Sequence, residues 1–277
     1  IRDRDDPFWY PATKQAYRTA KILNFDITVF APKGRGEAGT LEMVHFLKKV
    51  LEERYDGICI SPIADLRVEK LLQKMAEKGV EVIFILSAFD SVPYRTLIGT
   101  DSYQCGRSTG EAVREALGAD GAVGIIKWKD NLIETVEDRY HGVVDVLKEN
   151  RIPYYDMTGP GEPTAEEATK LTDRLLTEHP DISVLCATNV GWGLAFARYL
   201  KSKGKKVKLV TVDFTDEVGE FMKAGYVDAA IAQRPESWGS MTLEKIEAVF
   251  EGQSIPKTID TGTYPVTPAN IRIYVKD

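Results

Sequence analysis

Side chains able to hold a polyhydroxylated molecule recur in this sequence at one kind of place, directly after a short apolar run. Asp6, Phe8 and Trp9 follow the first residues of the chain, and Trp128 and Lys129 follow 122–127. Asn189 follows 182–187, Asp213 follows 207–212, and Gln233 follows 227–232. Carboxylates and amides accept from and donate to neighbouring hydroxyls, while an aromatic face covers the apolar C–H side of a sugar ring. Read alone, each residue has a plainer role: Asn189 can cap a helix, Asp213 can begin one, and Phe8 or Trp9 can fill a core. Together they set carboxylate, amide and aromatic side by side along sheet edges, and a monosaccharide or polyol needs that combination.

Other chemistries find less support. Gly34-Arg-Gly-Glu-Ala-Gly39 matches the dinucleotide fingerprint by letter, but Pro32 and Lys33 part it from the preceding apolar run. The next run ends in Ser61-Pro62, with no acid placed for a ribose. His45, His141 and His179 are scattered, with no cysteine or acid at ligand spacing, so neither a metal nor a cofactor is expected. There is no Gly-x-Ser-x-Gly elbow, and the adjacent pair Asp5-Asp6 lacks a second acid in the context of glycoside hydrolysis. No catalytic residue is therefore expected. With 42 acidic against 36 basic residues the net charge is −6, which argues against a nucleic-acid partner. Cys59, Cys105 and Cys186 are odd in number and far apart, and are expected to remain unbridged, structural thiols.

Positioning the polar residues falls to a repeated βα architecture. Apolar, β-branched runs at 26–31, 57–61, 80–86, 96–100, 122–127, 182–187, 207–212 and 227–232 read as strands. Their continuous apolar character suits parallel strands covered on both faces. Amphipathic segments lie between them, with Met43, Phe46, Leu47, Val50 and Leu51 on one helical stripe. Thr164 and Glu167 have the spacing of a capping box, and Gly79 and Gly225 stand where helices end in a left-handed residue. The reading is α/β, with open, doubly wound parallel sheets.

At 277 residues the chain exceeds what one core usually serves. The rhythm breaks near 100–103, near 233–235 and past Gly252, where only the short extended pieces 258–260 and 271–275 remain. That pattern suits a chain crossing three times between two lobes, expected as 1–101 with 234–258 and 102–233 with 259–277. No run reaches the roughly 18 apolar residues of a membrane span. Ile1-Arg2-Asp3 fits only the end of a strand, whereas such a lobe opens with a strand of about five or six residues, so more chain is expected upstream.

Several segments occur in an order and spacing that point further. They are Asp5-Asp6-Pro7-Phe8-Trp9, Asp56-Gly57-Ile-Cys-Ile-Ser-Pro62, Gly99-Thr100-Asp101 with Gly106, and Arg139-Tyr-His-Gly142. Ala187-Thr-Asn189, Val212-Asp213-Phe214 and Ala230-Ile-Ala-Gln233-Arg-Pro235 complete the set. Over nearly the whole chain this resembles the ribose/galactose type of periplasmic binding protein, the type I, cluster B sugar-binding family. The resemblance implies two doubly wound lobes joined by three hinge crossovers. It implies ligand contacts from Asp6, Phe8, Trp9, Asn189, Asp213 and Gln233; of these Asp213 is expected to be the strongest, because an ionised carboxylate accepts from two adjacent hydroxyls. Arg139 joins them, although the family's arginine can sit two positions earlier, where this chain has Glu137. Trp128 or Trp192 is expected to supply an aromatic face. Ribose binders of the family carry Asp-Arg where this chain has Leu86-Ser87, so a sugar other than ribose is expected.

The function so implied is an extracytoplasmic solute-binding protein, periplasmic or extracellular, its signal segment removed upstream of Ile1. It would capture a monosaccharide or polyol between its lobes and deliver it to a membrane ABC permease. The alternative is a ligand-sensing subunit of the same fold, read by a histidine kinase or chemoreceptor. A third reading, the effector domain of a lactose-repressor-type regulator, needs an upstream helix-turn-helix and is disfavoured by an acidic chain with no basic arm.

Overall fold

The computed structural model describes residues 7–33, 36–118, 120–129, 134–161 and 163–274. Along the chain, α1 (Tyr10–Leu23), α2 (Gly36–Glu52), β1 (Gly57–Ile60), α3 (Leu66–Glu77), β2 (Glu81–Ile85) and β3 (Thr96–Gly99) come first. Next are α4 (Ser102–Leu117), β4 (Ala122–Trp128), α5 (Glu134–Glu149), β5 (Tyr154–Gly159) and α6 (Ala165–Glu178). They are followed by β6 (Ile182–Ala187), α7 (Val190–Lys203), β7 (Lys208–Val212), α8 (Asp216–Lys223) and β8 (Ala229–Ala232). The chain ends with α9 (Pro235–Phe250), β9 (Thr258–Asp260) and β10 (Tyr264–Val266).

These elements form two units. The first holds the described residues up to Thr100 together with Arg234–Thr261, and the second holds Asp101–Gln233 with the described residues from Gly262. The chain passes from one unit to the other three times.

In the first unit the sheet order is β1-β2-β3-β9, all parallel. Val82 and Phe84 of β2 enter a core with Leu47 of α2 and Leu72 of α3. Ile83 and Ile85 enter a second core with Ala12 of α1 and Trp238 of α9. Helices thus cover both faces, which is why the strands read as continuous apolar runs rather than as alternating ones.

The second unit repeats the scheme with the order β10-β8-β7-β6-β4-β5, parallel except for β10. Val123 and Ile125 of β4 pack with Val143 and Leu147 of α5. Ile126 packs on the other face with Leu175 of α6 and Phe196 of α7. The capping box forms: Glu167 N–H donates to Thr164 Oγ1 at 3.2 Å, and Thr164 N–H donates to Glu167 Oε2 at 2.9 Å. Gly79 and Gly225 take the left-handed φ values of 84° and 79°. No helix among the described residues is long and apolar enough to cross a membrane.

The structure departs from the sequence reading in definite places. The run at 26–31 is not a strand and joins neither sheet among the described residues. The edge strand β5 escapes a search for continuous apolar runs, since Asp156 and Thr158 are exposed. So does β10, a three-residue strand containing Pro265. Ile271–Ile273 is a 3-10 turn rather than an extended piece. Asp101 falls in the second unit, and 259–261 fall in the first, where β9 pairs with β3. The reading of Ile1–Asp3 lies outside the described residues.

Candidate ligand-binding site

Four neighbouring parallel strands of the second unit, β8, β7, β6 and β4, deliver polar residues at their C-terminal ends. Gln233 follows β8, Asp213 follows β7, Thr188 and Asn189 follow β6, and Trp128 is the last residue of β4. The loops at this end of an open α/β sheet are its usual ligand-binding edge.

Asp213 stands at the middle of the group. Its φ is 70°, in the left-handed region that aspartate tolerates better than most residues, and its N–H still donates to Ile231 O at 2.9 Å. Gln233 Nε2 donates to Asp213 Oδ1 at 2.6 Å. Arg139 Nη1 lies 3.9 Å from Asp213 Oδ2 and donates to Thr188 O at 3.3 Å. Arg139 and Asp213 are 5% and 8% exposed. The pair therefore offsets its own charge within a largely dry region, although at 3.9 Å it is not closed by a short hydrogen bond.

Two glycines set the height of Arg139. A Cβ at Gly106 of α4 would lie 2.1 Å from Arg139 O, and one at Gly142 of α5 would lie 2.2 Å from Tyr103 O. Only with both glycines do α4 and α5 approach this closely, which seats Arg139 beside the strand ends.

Asn189 does two jobs. Its Oδ1 accepts from Trp192 N–H at 2.8 Å and caps α7, and this fixes the amide so that Nδ2 is left over. Asn189 Nδ2, Arg139 Nε, Trp128 Nε1 and Gln233 Oε1 are buried without a hydrogen-bond partner. Buried polar atoms are rarely left unpaired, and each such atom costs about 1–3 kcal/mol. Gln233 and Arg139 flank the Asp213 carboxylate, while Asn189 and Trp128 stand at the ends of β6 and β4, so this edge of the sheet carries three donors and one acceptor in that condition. Ser102 Oγ, at the start of α4, is in the same state. Sequence reading missed it, although it begins a helix directly behind a strand end, as Asn189 nearly does.

The other aromatic and charged candidates have these surroundings. Trp192 is 1% exposed and donates through Nε1 to Pro160 O at 3.0 Å, so it is a core residue and not an open aromatic face. Trp128 packs on the backbone of Gly161. Glu137 pairs with Lys127 at 3.1 Å and with His141 at 3.2 Å. Phe8 and Trp9 belong to the first unit. Trp9 is 3% exposed and packs with Phe8 and Trp238 at centroid distances of 5.4 and 5.9 Å, in a core of the first unit. Phe8 is half-buried, edge-on to both tryptophans. Asp6 lies outside the described residues. Among the described residues no group of three or more His, Cys, Asp or Glu could hold a metal ion.

A family model described as periplasmic binding protein domain matches residues 1–254. The ribose import binding protein RbsB of Bacillus subtilis strain 168 is 20% identical over 262 residues, covering 92% of this chain and 81% of the relative. RbsB of Haemophilus influenzae is 25% identical over 207 residues, covering 73% of this chain and 68% of the relative. Among solved structures, an ABC transporter solute-binding protein from Burkholderia graminis in complex with D-arabinose aligns with a TM-score of 0.86 at 23% identity, covering 99% of this chain and 96% of its own. A periplasmic solute-binding protein from Actinobacillus succinogenes with bound D-allose aligns with a TM-score of 0.85 at 20% identity, covering 99% and 98%. At these identities the structural likeness establishes the fold.

Proposed function

The chain belongs to the periplasmic binding protein domain family, and on that premise we propose that it captures a monosaccharide outside the cytoplasm and hands it to a membrane ABC importer. The observation that carries this reading is the set of buried, unpartnered polar atoms at the strand ends of the sheet that presents Asp213: Asn189 Nδ2, Arg139 Nε, Trp128 Nε1 and Gln233 Oε1. A carboxylate accepts from two adjacent hydroxyls, and bonds to charged groups contribute about 1.5–3 kcal/mol each. The three N–H groups serve hydroxyl or ring oxygens, and Gln233 Oε1 takes one further hydroxyl proton.

The charge pattern favours a neutral ligand. Arg139 and Asp213 offset each other, so the site offers directional hydrogen bonds without a net charge that would select an anion or a cation. Relatives named for ribose import, and structures holding D-arabinose and D-allose, support a sugar as the ligand and import as the role. Ligand at about 100 times its dissociation constant adds about 2.7 kcal/mol of stability. A thermal-shift screen of pentoses, hexoses and polyols should therefore give at least one hit raising Tm by about 5 °C or more. A screen in which only nucleotides or amino acids stabilise the protein would refute the sugar reading.

A further inference from the structure

Ser102 opens α4 with a buried hydroxyl that no hydrogen bond holds. The helix does not need it as a cap, because Asp101 Oδ1 accepts from Gln104 N–H at 2.9 Å. Further along α4, Thr109 Oγ1 donates to Cys105 O, one turn back, at 2.8 Å. Ser102 lacks that outlet, since the residue four places back, Ile98, lies in β3 outside the helix.

The fold carries this hydroxyl to the strand ends that present Asp213 and Gln233. Lys208 Nζ, at the start of β7, donates to Ala116 O near the end of α4, so helix and strand run in opposite directions. Cys105, one turn into the helix, packs on Val212 of β7 and Ile231 of β8. Residues three apart share a helix face, and helical side chains lean toward the N-terminus. From Val212 and Ile231 the line therefore continues to Ser102 on the helix, and to Asp213 and Gln233 on the strands. Arg139 belongs to the same neighbourhood, its carbonyl against Gly106, one turn from Ser102.

Resting on the sugar reading, we propose that Ser102 determines specificity in this site: its hydroxyl pairs with one hydroxyl of the sugar, and the site rejects a sugar that lacks it. The other unpaired groups discriminate less. Arg139 Nε, Asn189 Nδ2 and Trp128 Nε1 only donate, so a ring oxygen serves them as well as a hydroxyl. Ser102 Oγ both donates and accepts, and a sugar hydroxyl matches both capacities. A C–H at that carbon matches neither and leaves Oγ buried and unpaired. Sites that leave a buried polar group unpaired reject the analogue far more strongly than apolar pockets do.

The test titrates wild type and Ser102→Ala calorimetrically with the sugar giving the largest shift in a thermal-shift screen of pentoses and hexoses, and with each of its monodeoxy forms. Ser102→Ala should bind the parent sugar about tenfold or more weakly. One deoxy form should bind both proteins equally, because it has already lost the partner of Ser102, and the other forms should show the parent's ratio. Without sugar, the Tm of Ser102→Ala should equal or exceed that of wild type, since no bond of the fold is lost. Equal affinity of the two proteins for the parent sugar would overturn the proposal and leave the sugar reading standing. So would the same loss with every deoxy form, because Ser102 then meets no single hydroxyl; a lowered Tm alongside would assign it to the fold. A screen without a sugar hit fails the sugar reading itself and removes the proposal with it.

Discussion

Gln233 Nε2 donates to Asp213 Oδ1 at 2.6 Å, and both side chains are buried at the ends of the adjacent strands β8 and β7. The bond holds the carboxylate in place and fixes the amide so that Oε1 is the atom left for a ligand. Gln233→Glu exchanges the donor for a second carboxylate, and two carboxylates at this separation share a proton with a raised apparent pKa. Above that pKa the pair repels, and sugar affinity should fall by about tenfold or more at pH 8. Below it the shared proton restores the contact, so affinity should recover toward pH 5. Calorimetry at the two pH values checks this, and affinities equal to wild type at both would remove Gln233 from the site.

Asn189 permits a clean separation of fold from ligand. Asn189→Asp keeps an acceptor for Trp192 N–H but has no Nδ2, whereas Asn189→Ala loses both. The alanine variant should lose about 0.5–2 kcal/mol of stability with its helix cap, and the aspartate variant should keep it. Both should bind sugar about tenfold or more weakly. Urea denaturation and calorimetry on the same samples read the two effects, and an aspartate variant with wild-type affinity would leave Asn189 as a cap alone.

The close approach of α4 and α5 makes Gly106 and Gly142 sensitive positions. A methyl group at either would meet backbone atoms at 2.1–2.2 Å, which side-chain rotation cannot relieve. Gly142→Ala should destabilise the protein by at least about 1–3 kcal/mol and weaken ligand binding through Arg139, which rides on α5. An unchanged urea midpoint would show that the helices part at no cost.

Much of this arrangement was legible in sequence, and what was not has physical causes. Continuous apolar runs such as 182–187 located β6, and the same rule marked where Asn189, Asp213 and Gln233 leave the sheet. The rule fails at β5 because, at the edge of the sheet, Asp156 and Thr158 are exposed among partly buried neighbours. It overreaches at 26–31, which joins neither sheet among the described residues. Which polar atoms lack partners is set by contacts far apart in sequence, such as Arg139 on Thr188 O, 49 residues away. Spacing alone could not separate Trp128, with its unpaired indole, from Trp192, whose N–H is taken by Pro160 O.

Cys59, Cys105 and Cys186 remain thiols in the structure. Burial pushes the Cys59 and Cys186 thiols up to about 12, so at pH 8 only about one part in ten thousand of either is the reactive thiolate. The folded protein should react with a chromogenic disulfide reagent at pH 8 only slowly, and the unfolded protein should release three equivalents per chain. An unfolded, unreduced sample that releases fewer would reveal a bridge.

The most direct test is a calorimetric titration of the best sugar from the screen into the wild-type protein and into Asp213→Ala. Asp213 accepts from Gln233, lies 3.9 Å from Arg139, and sits among the atoms that lack partners. Removing its carboxylate should weaken binding by about two to three orders of magnitude, since each 1.4 kcal/mol is about tenfold, while Tm without ligand changes little. Near-normal affinity in Asp213→Ala would contradict the placement of the sugar at the strand ends of the second unit.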